Sequence, residues 1–381
     1  MPEVREINDI AELDAYRAAW AELLAHTPAA SFFQSLAWLE TYWRHFGAGQ
    51  RLRTLVVCEG GRPTGIVPLT VFPEHTRLGT LRTLTYPLHN WGSFYGPVGP
   101  APAAALTAAL RHLRRGPRDW DLIELRWLGG PGPAPGETAR AMRAAGCAGC
   151  LMQWEATAWT ELRGTWDAFL ASRPRAWRRN LRHAERKLAE LGPIRYERYR
   201  SAGALHSQAD PRWDLYDACE DVARRSWQAA ASNGTTLCHA SVRAFLRDAH
   251  AAAAAAGAAD INLLFLADEP VAFAYNYVWQ GRLFGLRLGY DAAKTRDGAG
   301  NLLLAETLRD SFARGDRAFD LGAGALECKR HFATHALPIL RCSHYRPLAL
   351  RAQLLRAKRW LQSRGAFIGV GRQRRTAADA R

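Results

Sequence analysis

One octapeptide pattern occurs twice in the chain. Arg115–Leu122 reads R-G-P-R-D-W-D-L, and Arg314–Leu321, 199 positions later, reads R-G-D-R-A-F-D-L. Each follows a helical pattern, Ala103 to Arg114 in the first case and Gly300 to Arg314 in the second, and each runs into a predicted strand. A second correspondence lies upstream. Leu55 to Leu69 carries β-forming residues around a turn at Gly60-Gly61-Arg62-Pro63, and Leu263 to Tyr277 carries them around Asp268-Glu269-Pro270. Apolar β-formers flanking turn residues signal a hairpin. Similarity kept in order at a long, nearly constant offset indicates a duplicated unit. The chain is therefore predicted to be α/β, with a mixed sheet of the α+β kind in two related halves. Each half contains a hairpin, further strands, a helix and a strand. The first half is placed at 1–155 and the second at 156–365. Residues 366–381 form a basic tail that is expected to be disordered.

The composition permits two cores, since 48% of the 381 residues are hydrophobic. No apolar run approaches the roughly 18 residues of a membrane span, and Met1 to Ile10 has no apolar leader. The expected location is cytoplasmic. Seven scattered cysteines argue against a disulfide framework. Cys147 and Cys150 form a lone C-x-x-C, and Cys328, His331, His335, Cys342 and His344 are irregularly spaced, so no metal site is expected. The net charge of +15 favours anionic partners. Only four of the basic residues are lysines, however, which is an arginine bias that genome composition also produces.

Apolar positions Trp177, Leu181, Ala184, Leu188 and Leu191 fall on one face of a predicted helix from Arg175 to Leu191. Arg175, Arg178, Arg179, Arg182 and Arg186 fall on the other, as a solvated face or a cradle for phosphates. Further helices are predicted over Trp213–Ala230 and Ser241–Ala256. A basic helix over Leu350–Leu361 would pack on the body or touch an acidic membrane surface.

The segment with most chemical content follows two predicted strands, Val271–Trp279 and Arg282–Gly289. They lead through Tyr290-Asp291 into a polar loop, Lys294-Thr295-Arg296-Asp297-Gly298-Ala299-Gly300, and a helix from Asn301. A glycine-containing loop opening a helix presents backbone N–H groups to an anion. Its counterpart before the first-half helix is Gly99-Pro100-Ala101-Pro102, where prolines remove donors, so no cofactor site is expected there. The aromatic stretch Tyr86–Tyr95 suits either a loop over an acceptor or a structural loop.

This strand, loop, helix and strand order resembles the acyl-CoA pocket of the GCN5-related N-acetyltransferase (GNAT) superfamily. Thr295, Gly298 and Gly300 fall where that superfamily has Q/R-x-x-G-x-G/A, and Thr295 departs from the pattern. A closer resemblance is to tandem-domain proteins of cellulose and exopolysaccharide biosynthesis, akin to Fem-type aminoacyltransferases. It is carried by Ser31-Phe32-Phe33-Gln34-Ser35-Leu36-Ala37-Trp38-Leu39, Trp43, Phe46, Arg179-Asn180-Leu181-Arg182, Ala272-Phe273, Gly289-Tyr290-Asp291, Asp320-Leu321-Gly322-Ala323-Gly324 and Lys329. The resemblance implies an acyltransferase using acetyl-CoA or another acyl-CoA. The acceptor would be an amine or hydroxyl of a polysaccharide precursor or similar small molecule, and the arginine cluster Arg175–Arg186 points to an acidic or phosphorylated one. The alternatives are an aminoacyl-tRNA-dependent transferase or a non-catalytic scaffold in a biosynthetic complex. Nucleic acid is otherwise disfavoured as a partner.

The chemistry requires a base, a donor to the developing oxyanion and a charge for the leaving thiolate. Tyr290, Asp291 and Lys329 are the candidate catalytic residues. Lys294, Arg296, Gly298, Ala299, Gly300 and Asn301 are the candidate cofactor-binding residues. Asp320 recurs as Asp121 and is therefore assigned to the fold.

Overall fold

The computed structural model describes residues 2–130, 134–207, 209–231, 233–295 and 298–362. Its strands are β1 (Glu3–Ile7), β2 (Arg51–Glu59), β3 (Arg62–Thr76), β4 (Gly79–Thr85), β5 (Leu122–Leu128), β6 (Cys150–Glu161), β7 (Ile194–Arg200), β8 (Ala259–Leu266), β9 (Glu269–Trp279), β10 (Arg282–Tyr290), β11 (Ala318–Ala323) and β12 (His335–Tyr345). The helices are α1 (Arg17–Ala25), α2 (Leu36–Phe46), α3 (Pro102–Arg115), α4 (Pro135–Ala144), α5 (Trp166–Ala171), α6 (Arg175–Ala189), α7 (Trp213–Arg224), α8 (Ala240–Ala255), α9 (Ala292–Thr295), α10 (Ala299–Ala313), α11 (Leu326–Lys329) and α12 (350–362).

All twelve strands form one sheet, in the order β1-β2-β3-β4-β5-β12-β6-β11-β10-β9-β8-β7. The order is symmetric about the antiparallel β12/β6 pair. Each side of that axis has a single parallel pair, β4 with β5 and β10 with β11. The two hairpins and the two helix-to-strand units identified by the repeat occupy equivalent places: β2/β3 with α3–β5, and β8/β9 with α10–β11.

The sixth strands are exchanged. β6 is last in the first repeat, yet it pairs with β11 of the second, and β12 pairs with β5 of the first. The division proposed at 155/156 thus falls within β6, a strand that follows the first half in sequence and joins the second by pairing.

The halves also share a core. Ser31-Phe32-Phe33-Gln34 forms a turn in which Gln34 Oε1 accepts the Ser31 N–H at 3.0 Å and Gln34 Nε2 donates to the Gly96 carbonyl at 3.2 Å. This turn sends Phe32 against Tyr277 (ring centroids 5.0 Å apart) and Phe33 against Phe284 (5.9 Å). Trp38 meets Phe245 edge-on at 5.5 Å. Buried aromatic pairs of this kind add to the area they remove from water.

A buried polar cluster seats α10 on the sheet. Arg198 on β7 donates to Asp260 at 2.7 Å, to Asp310 at 3.0 Å, to Ser311 at 2.9 Å and to the Thr307 carbonyl at 3.2 Å. Arg200 forks onto Asp316 with two contacts of 2.9 Å. Burial alone would raise the Asp260 carboxyl, but Arg198 and Arg200 outweigh it and hold the group down at about 2. The helix that follows the candidate loop is therefore fixed at its far end by paired charges.

Candidate functional site

β10 and β11 run together for only three pairs, Arg282 with Ala318, Leu283 with Phe319, and Phe284 with Asp320. Beyond Asp320 they part. A bulge between Gly285 and Arg287 turns β10 away at that point. Two glycines line the parting. A side chain on Gly285 would come within 2.9 Å of the Asp320 carbonyl oxygen, and one on Gly322 would come within 3.2 Å of the Gly285 carbonyl oxygen. Gly322 also has φ +85°, which other residues rarely adopt.

Asp320 lies at the apex of this opening. Its Oδ1 accepts from the Gly322 N–H at 3.0 Å and from the Thr157 hydroxyl on β6. Its Oδ2 accepts no hydrogen bond among the described residues, and the side chain is buried. Burial pushes the carboxyl up to about 6, while Thr157, Gly322 and Lys329 restrain the rise. Such a group can take and return a proton near neutral pH.

Lys329 lies beside it. Its Nζ donates to the carbonyls of Gly322 (3.0 Å), Ala323 (3.2 Å) and Gly324 (3.0 Å). Burial lowers its pKa, and the neighbouring Arg287 adds to the effect. Three donors meeting three carbonyls fasten the turn after β11. The expected role at a leaving thiolate would require one of these bonds to be given up.

Arg287 reaches the cleft from β10. It donates through Nε to the Thr235 carbonyl and through Nη1 to the Leu286 carbonyl, and its guanidinium lies over the Trp91 ring at 4.0 Å. It has no carboxylate partner among the described residues. Burial lowers it to about 10. Trp91 is itself held by a bond from Nε1 to the Gly234 carbonyl at 3.0 Å. The aromatic stretch Tyr86–Tyr95 therefore turns most of its rings inward: Tyr86, Trp91, Phe94 and Tyr95 are all buried, and the stretch closes the seam between the halves.

The other expected residues are distributed as follows. Tyr290 packs against the first turn of α10, where a side chain on Gly300 would come within 2.9 Å of its ring. Asp291 is not free to act as a base. Its Oδ1 accepts from the N–H groups of Ala293 (3.1 Å) and Lys294 (3.2 Å), and its Oδ2 accepts from Arg225 at 2.8 Å. It caps α9, a helical turn where the sequence pattern predicts loop. Lys294 pairs with Glu269 at the β8/β9 turn. Arg296 lies outside the described residues. The helix begins at Ala299 rather than Asn301, so Ala299, Gly300 and Asn301 form its first turn. Gly298 precedes it with φ +129°, and a side chain there would come within 2.7 Å of Ala184 on α6. The glycines thus admit α6 and Tyr290 to the helix start, and no side chain caps it.

α6 lies across that start. Trp177 packs edge-on against Phe332, and Leu181 and Leu188 face the core. Arg175, Arg178, Arg179, Arg182 and Arg186 have no carboxylate partner among the described residues. Many arginines elsewhere in the chain are paired.

Sequence reasoning missed Asp320 and Arg287. Asp320 matches Asp121 in the repeat, but the two sites differ. Asp121 precedes the parallel register of β4/β5, which starts at Leu122, and it is held by Arg82 at 2.8 Å. Asp320 ends the register of β10/β11.

Residues 175–330 match the family model described as acetyltransferase (GNAT) domain. No curated protein matches the chain. Among solved structures, L-PGS from Bacillus licheniformis superposes with TM-score 0.57 at 12% identity, covering 94% of this chain and 99% of that one. FemX superposes with TM-score 0.56 at 12% identity, covering 90% and 97%. The C-terminal domain of a putative lysylphosphatidylglycerol synthetase from Agrobacterium fabrum gives 0.51 at 10% identity, covering 92% and 96%. These likenesses span both halves. Over residues 175–330 the chain is thus similar to acetyltransferase (GNAT) domains, and its fold is shared along most of its length with the FemX and lysylphosphatidylglycerol synthetase structures.

Proposed function

We propose that the chain moves an acyl group from acyl-CoA to an amine or hydroxyl of a saccharide precursor. The donor would lie between β10 and β11, with its pyrophosphate at the start of α10 beneath the arginines of α6. The observation that carries this reading is the parting of β10 and β11 at Asp320, a buried carboxyl raised to about 6 at the end of their paired run. In the reaction, Asp320 takes the proton of the attacking acceptor. A backbone N–H freed on the splayed β10 faces the developing oxyanion. Arg287 and Lys329 supply positive charge at the leaving thiolate or at an anionic acceptor.

The acceptor would approach from the first-half side. Trp127 on β5 and Trp154 on β6 meet edge to face at 5.8 Å, and Trp154 remains exposed. Both strands bulge there against β12, and Trp127 has φ +59°, which is strained for a bulky side chain. From Trp127 the aromatic contacts continue through Phe94 to Trp159 and Phe284, the two residues paired with Asp320. Half-exposed tryptophans offer flat apolar faces of the kind a sugar ring covers. The unpaired arginines of α6 suit a tRNA backbone as well as a pyrophosphate, so aminoacyl-tRNA is the second reading.

The test combines binding with turnover. Titration with acetyl-CoA should give saturable heat, which Gly300→Asp abolishes by placing a carboxylate at the helix start. Release of CoA thiol with amino-sugar acceptors should fall by about 10²–10⁴ in Asp320→Asn, the range for loss of a positioned base. Acetyl-CoA binding that is unchanged by Gly300→Asp would move the donor elsewhere. No binding to any acyl-CoA would favour the aminoacyl-tRNA or scaffold reading.

A further inference from the structure

The largest concentration of exposed apolar side chains lies away from the cleft, at the end of the described chain. α12 is seated on the body by Ala352 and Leu355, and by Arg359, which bonds the Tyr345 hydroxyl at 3.0 Å and pairs with the buried Glu124. On its opposite side Leu350, Leu354, Ala357 and Leu361 recur at steps of four, three and four, which is one continuous helical face. Leu350 is 74% exposed, Leu354 47%, Leu361 62%, and Leu348 just before the helix 90%. Water gains nothing from such a stripe, and a seated helix has no structural need of it. Arg351 and Lys358 border the stripe on one side, and Arg356 lies on the other. From Arg346 to Arg381 the sequence has ten arginines or lysines and a single acid, Asp379.

We propose that α12 is a membrane-surface anchor that lies in the headgroup layer of an anionic bilayer. Leu348, Leu350, Leu354 and Leu361 would enter the acyl boundary, and Arg351, Arg356 and Lys358 would meet lipid phosphates. Charge decides between occupants. A second copy of this chain would bring the same basic flanks against each other, whereas an anionic lipid surface neutralises them. The body is already closed by Ala352 and Leu355, so docking needs no unfolding. The inference does not rest on the proposed reaction.

The test is co-sedimentation of the full chain with vesicles of phosphatidylglycerol mixed with phosphatidylcholine, and with phosphatidylcholine alone. The chain should follow the anionic vesicles and leave the neutral ones. Leu350→Glu/Leu354→Glu, both at exposed positions, should keep its thermal midpoint and lose at least about tenfold in vesicle affinity. Arg351→Gln and Lys358→Gln should each weaken binding about fivefold at low salt. Three results would overturn the proposal: no binding to anionic vesicles, binding that the double glutamate variant leaves intact (which would assign it to the basic residues beyond α12), or a dimer in solution that the same variant converts to monomer.

Discussion

Replacing Asp320 with asparagine should make the protein more stable while reducing any activity that depends on the carboxylate. The folded chain holds this carboxyl up at about 6, against an ordinary value of 3.8, chiefly through burial. A raised carboxyl is stabilising in its protonated form and costly when ionised. The fold therefore has this group's full benefit below about pH 3.8 and loses it as pH rises through about 6. Above that, holding the ion costs on the order of 3 kcal/mol. Asparagine keeps an oxygen for Thr157 and the Gly322 N–H and removes the charge. At pH 8 it should recover about 1–3 kcal/mol, which is several degrees in thermal midpoint for a chain of this size. The assay is thermal unfolding by circular dichroism, wild type and Asp320→Asn side by side from pH 4 to pH 8. The gap between them should be small near pH 4, open through about pH 6 and level off above pH 7. An asparagine variant that is less stable at pH 8, or a gap that ignores pH, would show that the carboxyl is satisfied where it lies and is not poised for proton transfer.

Other consequences follow from the packing. Lys329→Met leaves the carbonyls of Gly322, Ala323 and Gly324 without their donor. It should cost about 1–3 kcal/mol in urea unfolding, with the loss local to the turn after β11. Phe33→Ala opens a void between Tyr277 and Phe284 at the seam of the halves and should cost about 3–5 kcal/mol. Asp260→Ala strands Arg198, whose side chain is 2% exposed, and should cost about 3–5 kcal/mol. A value near zero in denaturant unfolding would mean that Arg198 is held by its other partners on α10.

The sequence announced its architecture through the repeat. Two octapeptides alike at five of eight positions and two offset hairpins correspond to equivalent places in one symmetric sheet. The face of α6 was legible from its three-and-four spacing, and the helices at Trp213 and Ser241 start within one residue of expectation. α7 stops at Arg224, and the remainder of the predicted Trp213–Ala230 helix is a tight turn at Trp227–Ala230. The exchange of β6 and β12 was not legible, because local pattern identifies a strand and not its neighbour. The candidate site was legible as a stretch of chain, and the environments of its residues were not. Gly298 and Gly300 read as an anion loop, yet each makes room for a packed neighbour. Asp291 read as a base at a strand end, yet it caps α9 and is clamped by Arg225. Asp320 repeats Asp121 in sequence, yet it ends the paired run of β10/β11 whereas Asp121 precedes that of β4/β5. Arg287 was one arginine among many. Only the fold shows that it lies in the cleft without a carboxylate partner among the described residues.

The central claim is that the donor enters between β10 and β11 in the second half. Hydrogen exchange of the full chain with and without acetyl-CoA tests it most directly. Bound donor should slow exchange at residues 298–304 and 320–324, leaving the first-half counterpart at 100–107 unchanged. Protection confined to 100–107, or no protection anywhere at saturating acetyl-CoA, would contradict the claim.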